Sequence, residues 1–322
     1  MATALLANLR AQYPHASIDL AAPSALEDLY QTKPYGVSFI KFTPRDHNSF
    51  LQLLSRGRYD HAYSVMDNRY SWTAFALGAR WIVGYEKDSF YKNLPLNEQV
   101  PLPEEALSLP DLMANLSSPG HRKLRYHKQS WPTPPAKPFN RPAMPFAVLH
   151  LGASTSLKFW APEKWRAIAL HLHACGITPV WSAGPGETHL VKQVDPQQQF
   201  PNYAGKLNLA QLWNLINEAN LLISPDTGIA HIAKHTETPS ICLFGPGSAF
   251  LAGQSFFFSS TSFYPITHSV SCRDQDVLFR RKLGWVQQCK RSVSQCPHSA
   301  KCMALITEDE VIKAINHLVA NR

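Results

Sequence analysis

The second half of the chain repeats one device, and that device limits the folds open to it. A short apolar run ends in a loop of small or turn-forming residues, and a helical pattern follows. Phe146–Leu151 runs into Gly152-Ala-Ser-Thr-Ser156, and Ile177–Ser182 into Gly184-Pro-Gly-Glu187. Leu221–Ser224 runs into Pro225-Asp-Thr-Gly228, and Ser240–Phe244 into Gly245-Pro-Gly-Ser248. Pro162–Cys175 reads as a helix, with proline in its first turn and Gly176 past its end. Trp165, Ile168, Ala169, Leu172 and Cys175 form its apolar face. Asn208 precedes a helix carrying Leu209, Leu212, Trp213 and Ile216, and Ile229–Lys234 opens another. Pro179 puts the second strand at a sheet edge or near its own start. Such alternation builds right-handed βαβ units around a parallel sheet. The four loops then share one edge, where glycine admits a ligand to the backbone and helix N-termini offer free N–H groups. That edge suits a phosphorylated ligand.

The first half alternates too. Ala2–Gln12 is an amphipathic helix, and Ala16–Ala21, Val37–Phe42 and His61–Met66 are strands. A doubly wound domain normally opens with a strand. Here a helix comes first, so either the domain begins that way or the chain starts downstream of the true first strand. Length favours two domains. Pro132, Pro134, Pro135, Pro138, Pro142 and Pro145 make an extended connector between them. The expected organisation is a domain over 1–130, a linker over 131–145, a domain over 146–306 and a final helix over 307–322. Thr307 and Glu310 form that helix's capping box, and Val311, Ile312, Ile315, Leu318 and Val319 its apolar face.

Hydrophobic residues at 45% and charged residues at 17% exclude a mainly disordered chain. No apolar run is long enough for a spanning helix. The net charge of +8 favours anionic partners without choosing among nucleic acid, phosphorylated glycan and acidic membrane. The N-terminus lacks the basic stretch of a secretory signal, and six cysteines do not make a secreted scaffold in a chain this long. A soluble protein of the reducing cytoplasm is expected. Cys272, Cys289, Cys296 and Cys302 fit no tight zinc pair and read as buried free thiols, with a structural metal or disulfide as the alternative. The basic stretches His121–Lys128 and Arg280-Arg-Lys282 are solvated faces, or contacts to anionic lipid or acceptor phosphates. Neither has interleaved aromatics and no compact DNA-reading motif occurs, so no nucleic-acid partner is expected.

Asp226-Thr-Gly-Ile-Ala-His231 is the sharpest loop. Thr227 and Gly228 stand where strand turns into helix, so their amides would face a diphosphate. His231 follows within the first turns and can donate to a phosphate or sugar oxygen. In the plainer reading Asp226 caps the helix and His231 is a satisfied core histidine. Asp-Thr-Gly also marks aspartic proteases, which need two aspartates at close range. No second copy exists and a helical segment follows, which excludes that reading. Lys158 can neutralise charge on a leaving diphosphate, or is an exposed lysine. Glu187 can accept from ribose hydroxyls, or is a surface carboxylate. A nicotinamide enzyme would need Gly-x-Gly-x-x-Gly after an early strand, and none is present.

Taken in order, a set of motifs resembles glycosyltransferase family 9, the ADP-heptose:lipopolysaccharide heptosyltransferases. They are His150-Leu-Gly-Ala-Ser154, Lys158-Phe-Trp160-Ala-Pro-Glu-Lys-Trp165, Ala183-Gly-Pro-Gly-Glu187, Ala204-Gly-Lys-Leu-Asn-Leu209, Ser224-Pro-Asp-Thr-Gly-Ile-Ala-His231 and Leu243-Phe-Gly-Pro246. The first half matches more loosely, through Leu9-Arg-Ala-Gln-Tyr-Pro14, Arg58-Tyr-Asp60 and Gly78-Ala-Arg-Trp-Ile-Val-Gly84.

The resemblance implies an α/β protein of GT-B architecture, two Rossmann-like domains with parallel sheets facing across a cleft. The C-terminal domain would hold a nucleotide sugar and the N-terminal domain an acceptor. The implied reaction is an inverting, metal-independent transfer of a sugar, heptose above all, to a lipopolysaccharide core or related bacterial glycan, with no cofactor. Ser154 and Lys158 would meet the diphosphate and Glu187 the nucleoside. Asp226, Thr227, Gly228 and His231 would bind diphosphate and donor sugar. The charge adds an anionic glycolipid or glycan acceptor, and peripheral contact with the inner face of an anionic membrane without insertion. One departure matters. The family begins with a strand and a Gly-Asp loop whose aspartate resembles the catalytic base, and this chain starts just after them. No residue receives the base by carry-over. Asp67, closing the His61–Met66 strand, is a substitute on position alone. The alternative is a truncated, inactive relative that binds nucleotide sugars.

Overall fold

Short apolar strands followed by capped helices fold as the pattern requires. The computed structural model describes residues 1–118 and 124–320, the side chains of 319 and 320 excepted. Contacts divide the chain into two units. One comprises Met1–Pro132, Ser255–Phe257 and Asp276–Val286; the other comprises Thr133–Gln254, Phe258–Gln275 and Gln287–Arg322. The expected span 146–306 is therefore interrupted twice by segments that pack with the first unit.

In the first unit α1 (Thr3–Gln12) buries Thr3 through Leu9. Strands β1 (Ile18–Ala22) and β2 (Val37–Lys41) pair in parallel, Ile18 opposite Val37. Asp46 caps α2 (His47–Leu54) by accepting from the N–H groups of Asn48 and Ser49. A second parallel sheet alternates β3 (His61–Ser64), α3 (Ser71–Ala76), β4 (Trp81–Tyr85), α4 (Phe90–Asn93) and β5 (Glu98–Val100), in strand order β3-β4-β5. The strand expected over His61–Met66 stops at Ser64, and Met66 adopts a left-handed φ of 76°. Then α5 (Leu109–Asn115) starts at Ser108. Its Asp111 accepts from the N–H groups of Phe256 (2.9 Å) and Phe257 (3.1 Å), which ties Ser255–Phe257 to this unit.

The second unit holds β6 (Phe146–His150), α6 (Pro162–Ala174), β7 (Thr178–Ser182), α7 (Thr188–Val194), α8 (Leu209–Glu218), β8 (Leu221–Pro225) and α9 (Gly228–Thr236). After these come β9 (Ser240–Phe244), α10 (Ala249–Ala252), β10 (Phe263–Thr267), α11 (Lys301–Ala304) and α12 (Glu308–Ala320). Its sheet is parallel, in the order β10-β9-β8-β6-β7. Beyond β7 a parallel bridge joins Trp181 to Asn202. Pro179 is the second residue of β7, a place where its missing N–H is tolerated. Both faces are covered, so β6, β8 and β9 are buried throughout, while the edge strand β10 leaves Tyr264 exposed. One core cluster joins Ala147, Leu149, Ile223, Ile241 and Leu243 to Trp165 and Ile168 of α6 and to Val311 and Ile315 of α12. A smaller one sets Cys242 and Phe244 against Ala230 and Phe263. The capping box of α12 is formed: Glu310 accepts from the Thr307 N–H at 2.8 Å, and Thr307 Oγ1 accepts from the Glu310 N–H at 3.3 Å. Val319 of its expected apolar face lies outside the described side chains. Strand order reverses between β6 and β8, and ligands of open α/β sheets bind outside the carboxyl ends of strands at such a switch.

Candidate active site

At the carboxyl edge of the second unit the four expected loops come together, interlocked by three side chains. Glu187 joins the first two. Its Oε1 accepts from the Ala153 N–H at 2.8 Å and its Oε2 from the Gly184 N–H at 2.9 Å. A Cβ on Gly152 would stand 1.9 Å from Glu187 Oε2, so only glycine admits this brace. Lys158, closing the short turn Ser156–Lys158, joins the first loop to the third. Its Nζ donates to the Asp226 carbonyl at 2.7 Å and to Asp226 Oδ2 at 2.8 Å. The two side chains keep 19% and 15% of their surface exposed, so the pair is shielded yet reachable. Asp226 in turn meets the fourth loop, where a Cβ on Gly247 would lie 2.3 Å from its Oδ2.

The cap of α9 differs from the plainer sequence reading. Thr227, not Asp226, is its N-cap, with Oγ1 accepting from the Ile229 N–H at 3.3 Å. Asp226 is thereby left to hold Lys158. Gly228 opens the helix with no atom within 4 Å of where a Cβ would stand. The start of α9 thus follows directly on the residue that holds the Lys158 ammonium, and a helix N-terminus beside a cation is the charge pattern of an anion site. His231 lies one turn on; burial and the nearby Lys234 charge hold its imidazole well below the ordinary value, so it is neutral. Ser154 lies exposed in the first loop.

Lys234 was not legible as a site-supporting residue. It is buried, its Nζ donating to the carbonyls of Ala252 (2.7 Å) and Gly253, and burial pushes its ammonium down to about 8. A separate cavity of about 310 Å³ is lined by Leu151, Trp160, Trp165, Leu190, Val194 and Met303. It is apolar and contains none of the loop charges, so it does not serve this site.

Asp67 is placed in the first unit and is poorly suited to be a base. Arg69 grips its carboxylate at 2.6 and 2.8 Å, and Arg280 approaches at 3.5 Å. The Arg69 hydrogen bonds hold its carboxyl below the ordinary value, which weakens it as a proton acceptor. Arg281, read as part of a basic surface, is instead buried. Its guanidinium donates to the carbonyls of Tyr85 (2.8 Å), Glu86 (2.5 Å), Met66 (3.2 Å) and Phe279 (2.8 Å). His121, Arg122 and Lys123 of the other basic stretch lie outside the described residues. Of the four late cysteines only Cys302 is buried, which corrects the expectation for Cys272, Cys289 and Cys296. Among the described residues no group of three or more His, Cys, Asp or Glu is placed to hold a metal ion. No helix among them is long and apolar enough to cross a membrane.

Two Rossmann-like α/β units with parallel sheets define the class of fold, GT-B. The chain belongs to glycosyltransferase family 9 (heptosyltransferase), whose family model matches residues 48–253. Lipopolysaccharide core heptosyltransferase OpsX of Haemophilus influenzae is 35% identical over 96 residues, which are 29% of this chain and only 28% of that protein. The glycosyl transferase family 9 structure from Veillonella parvula superposes with a TM-score of 0.74 at 19% identity, covering 99% of this chain and 93% of that one. Heptosyltransferase WaaC of E. coli, solved with ADP, gives a TM-score of 0.71 at 15% identity, covering 98% and 95%.

Proposed function

We propose that the chain transfers heptose from an ADP-linked donor to the core sugars of a lipopolysaccharide. The observation that carries this reading is the interlocked edge where Lys158, Asp226 and the N-terminus of α9 meet. A diphosphate there would be met by the amides of Thr227 and Gly228 and by the Lys158 ammonium. Ser154 would lie alongside the diphosphate, and His231 would donate from a neutral ring to a phosphate or sugar oxygen. Glu187 shapes the edge by bracing Ala153 to Gly184, and so serves the nucleoside through the loops it holds. Family membership supports the reaction class. The names of the relatives, a lipopolysaccharide core heptosyltransferase and a heptosyltransferase with ADP, support acceptor and donor. The chain's positive charge suits an anionic acceptor.

In the reaction the acceptor hydroxyl oxygen bonds to the anomeric carbon as the carbon–oxygen bond to diphosphate breaks. The electron pair leaves with the diphosphate and the hydroxyl proton passes to a general base. One displacement inverts the anomeric configuration. The departing charge is met by Lys158 and helix amides, so no divalent ion is needed for that step.

The test incubates purified chain with ADP-heptose and a heptose-deficient core acceptor, with and without a chelator. ADP release matched by one added heptose of inverted configuration is expected in both. Unreacted donor, or retained configuration, contradicts the reading. A rate lost in chelator contradicts the ion-free step.

A further inference from the structure

A fully buried lysine ordinarily has a carboxylate for a partner, and Lys234 of α9 departs from that rule. It is 1% exposed, and its Nζ rests on neutral groups. The Ala252 carbonyl accepts at 2.7 Å, the Gly253 carbonyl accepts beside it, and the Phe263 ring centroid lies 4.1 Å away. Neutral groups return only part of the hydration that an ammonium loses on burial. The carboxylate whose field reaches it is Asp226, which Lys158 already holds at 2.8 Å. Departures of this kind gather at functional sites, where a costly local feature serves a ligand.

Two features tie Lys234 to the donor edge. The carbonyls it holds close α10, and α10 opens directly from the fourth loop, where Ser248 Oγ accepts from the Leu251 N–H at 3.4 Å. That loop carries Gly247, which packs against Asp226. Lys234 also follows Gly228, the first residue of α9, by about 9 Å of helix axis. A buried charge at that range is little screened by salt. His231 stands between the two and feels the charges of both Lys234 and Lys158. One electrostatic neighbourhood thus joins Lys158, Asp226, His231 and Lys234.

We propose that Lys234 is a positioning residue of the donor site, a buried cation that anchors α10 behind the fourth loop and favours a diphosphate at the start of α9 without touching it. This role rests on the transferase reading, which supplies the diphosphate. Burial pushes the Lys234 ammonium down to about 8, so its charge is full well below that pH and lost above it. A bound anion stabilises the ammonium, so affinity falls as pH rises through that value. Of the groups that face Lys234, the Cys242 thiol of β9 is pushed well above its ordinary value by burial, and His231 and His235 of α9 are neutral. Asp226 and Lys158 are paired with each other, and neither α10 nor Phe263 of β10 brings an ionisable group.

The test is calorimetric titration of the full chain with ADP at about pH 7 and about pH 9. A tenfold stabilisation of the ammonium by the bound anion weakens ADP binding about fivefold between those two values in the wild type. Lys234→Met binds about tenfold more weakly at the lower pH and lacks the further loss at the higher one. Lys234→Arg, charged at both, keeps its affinity at the higher pH. A cooperative melt shows each variant folded, and the wild-type profile needs no variant. Wild-type binding with no loss at the higher pH overturns the proposal. So does a folded Lys234→Met that binds and titrates as the wild type does. Both results leave the transferase reading standing. A wild type that ignores ADP at both pH values overturns that reading, and this role with it.

Discussion

Replacing Lys158 by alanine tests the site at the joint between its first and third loops. A lysine ammonium has three donors, and two are already spent on the Asp226 carbonyl and carboxylate. One remains for a ligand, held in position by the other two. Removing one preorganised donor from developing negative charge costs roughly 10²–10³ in turnover, about 2.7–4 kcal/mol. With a single free donor, the lower end of that range is expected, about a hundredfold in kcat. Binding of ADP-heptose in the ground state should fall by much less, since the amides of Thr227 and Gly228 remain. The loss also strips Asp226 of its cation, a destabilisation of about 1–3 kcal/mol for a partly buried group. A thermal melt separates that cost from the catalytic one. Initial rates against donor concentration give kcat and KM, and titration with ADP gives affinity. A rise in KM with kcat unchanged would refute the leaving-group role and leave Lys158 as a simple anchor.

Other outcomes follow from the same geometry. Gly152→Ala forces its Cβ onto Glu187 Oε2 and should cost about 1–3 kcal/mol, read as a lowered Tm; an unchanged melt would show the brace to be dispensable. Arg281→Met deletes donors to four carbonyls, destabilising the first unit by roughly 2–4 kcal/mol and quickening proteolysis near residues 276–286; a variant as protease-resistant as wild type would contradict this. Burial pushes His150 down to about 4 and His235 to about 3. Both pKa values are depressed on folding, so the unfolded chain binds more protons once pH falls below about 6.5. Stability is full above that pH and drops towards pH 4, at up to about 1.4 kcal/mol per pH unit per histidine. Denaturant melts across that range check it, and a flat profile would contradict buried neutral rings.

The second unit was largely legible because its signals are local. Proline at the start of α6 and Gly176 beyond its end placed that helix, Asn208 placed α8, and apolar runs placed β6 to β9 almost to the residue. The four loops share an edge because parallel strands give no other option. What remained hidden depends on contacts distant in sequence. Nothing local reveals that Glu187 binds Ala153, that Gly247 yields space to Asp226, or that Thr227 takes the capping task from Asp226. The Gly-Pro-Gly repeats were the available signal, since glycine at a strand end often marks close approach. The first unit was less legible: β5 has three residues and α4 has four, too short for periodicity. Arg281 read as surface because three of its four carbonyl partners lie about two hundred positions away.

A crystal structure of the chain with ADP would test the central claim most directly. The account predicts the diphosphate at the N-terminus of α9, accepting from the amides of Thr227 and Gly228 and from Lys158 Nζ, with Asp226 still holding that lysine. A diphosphate bound elsewhere, with Lys158 and α9 untouched, would contradict it.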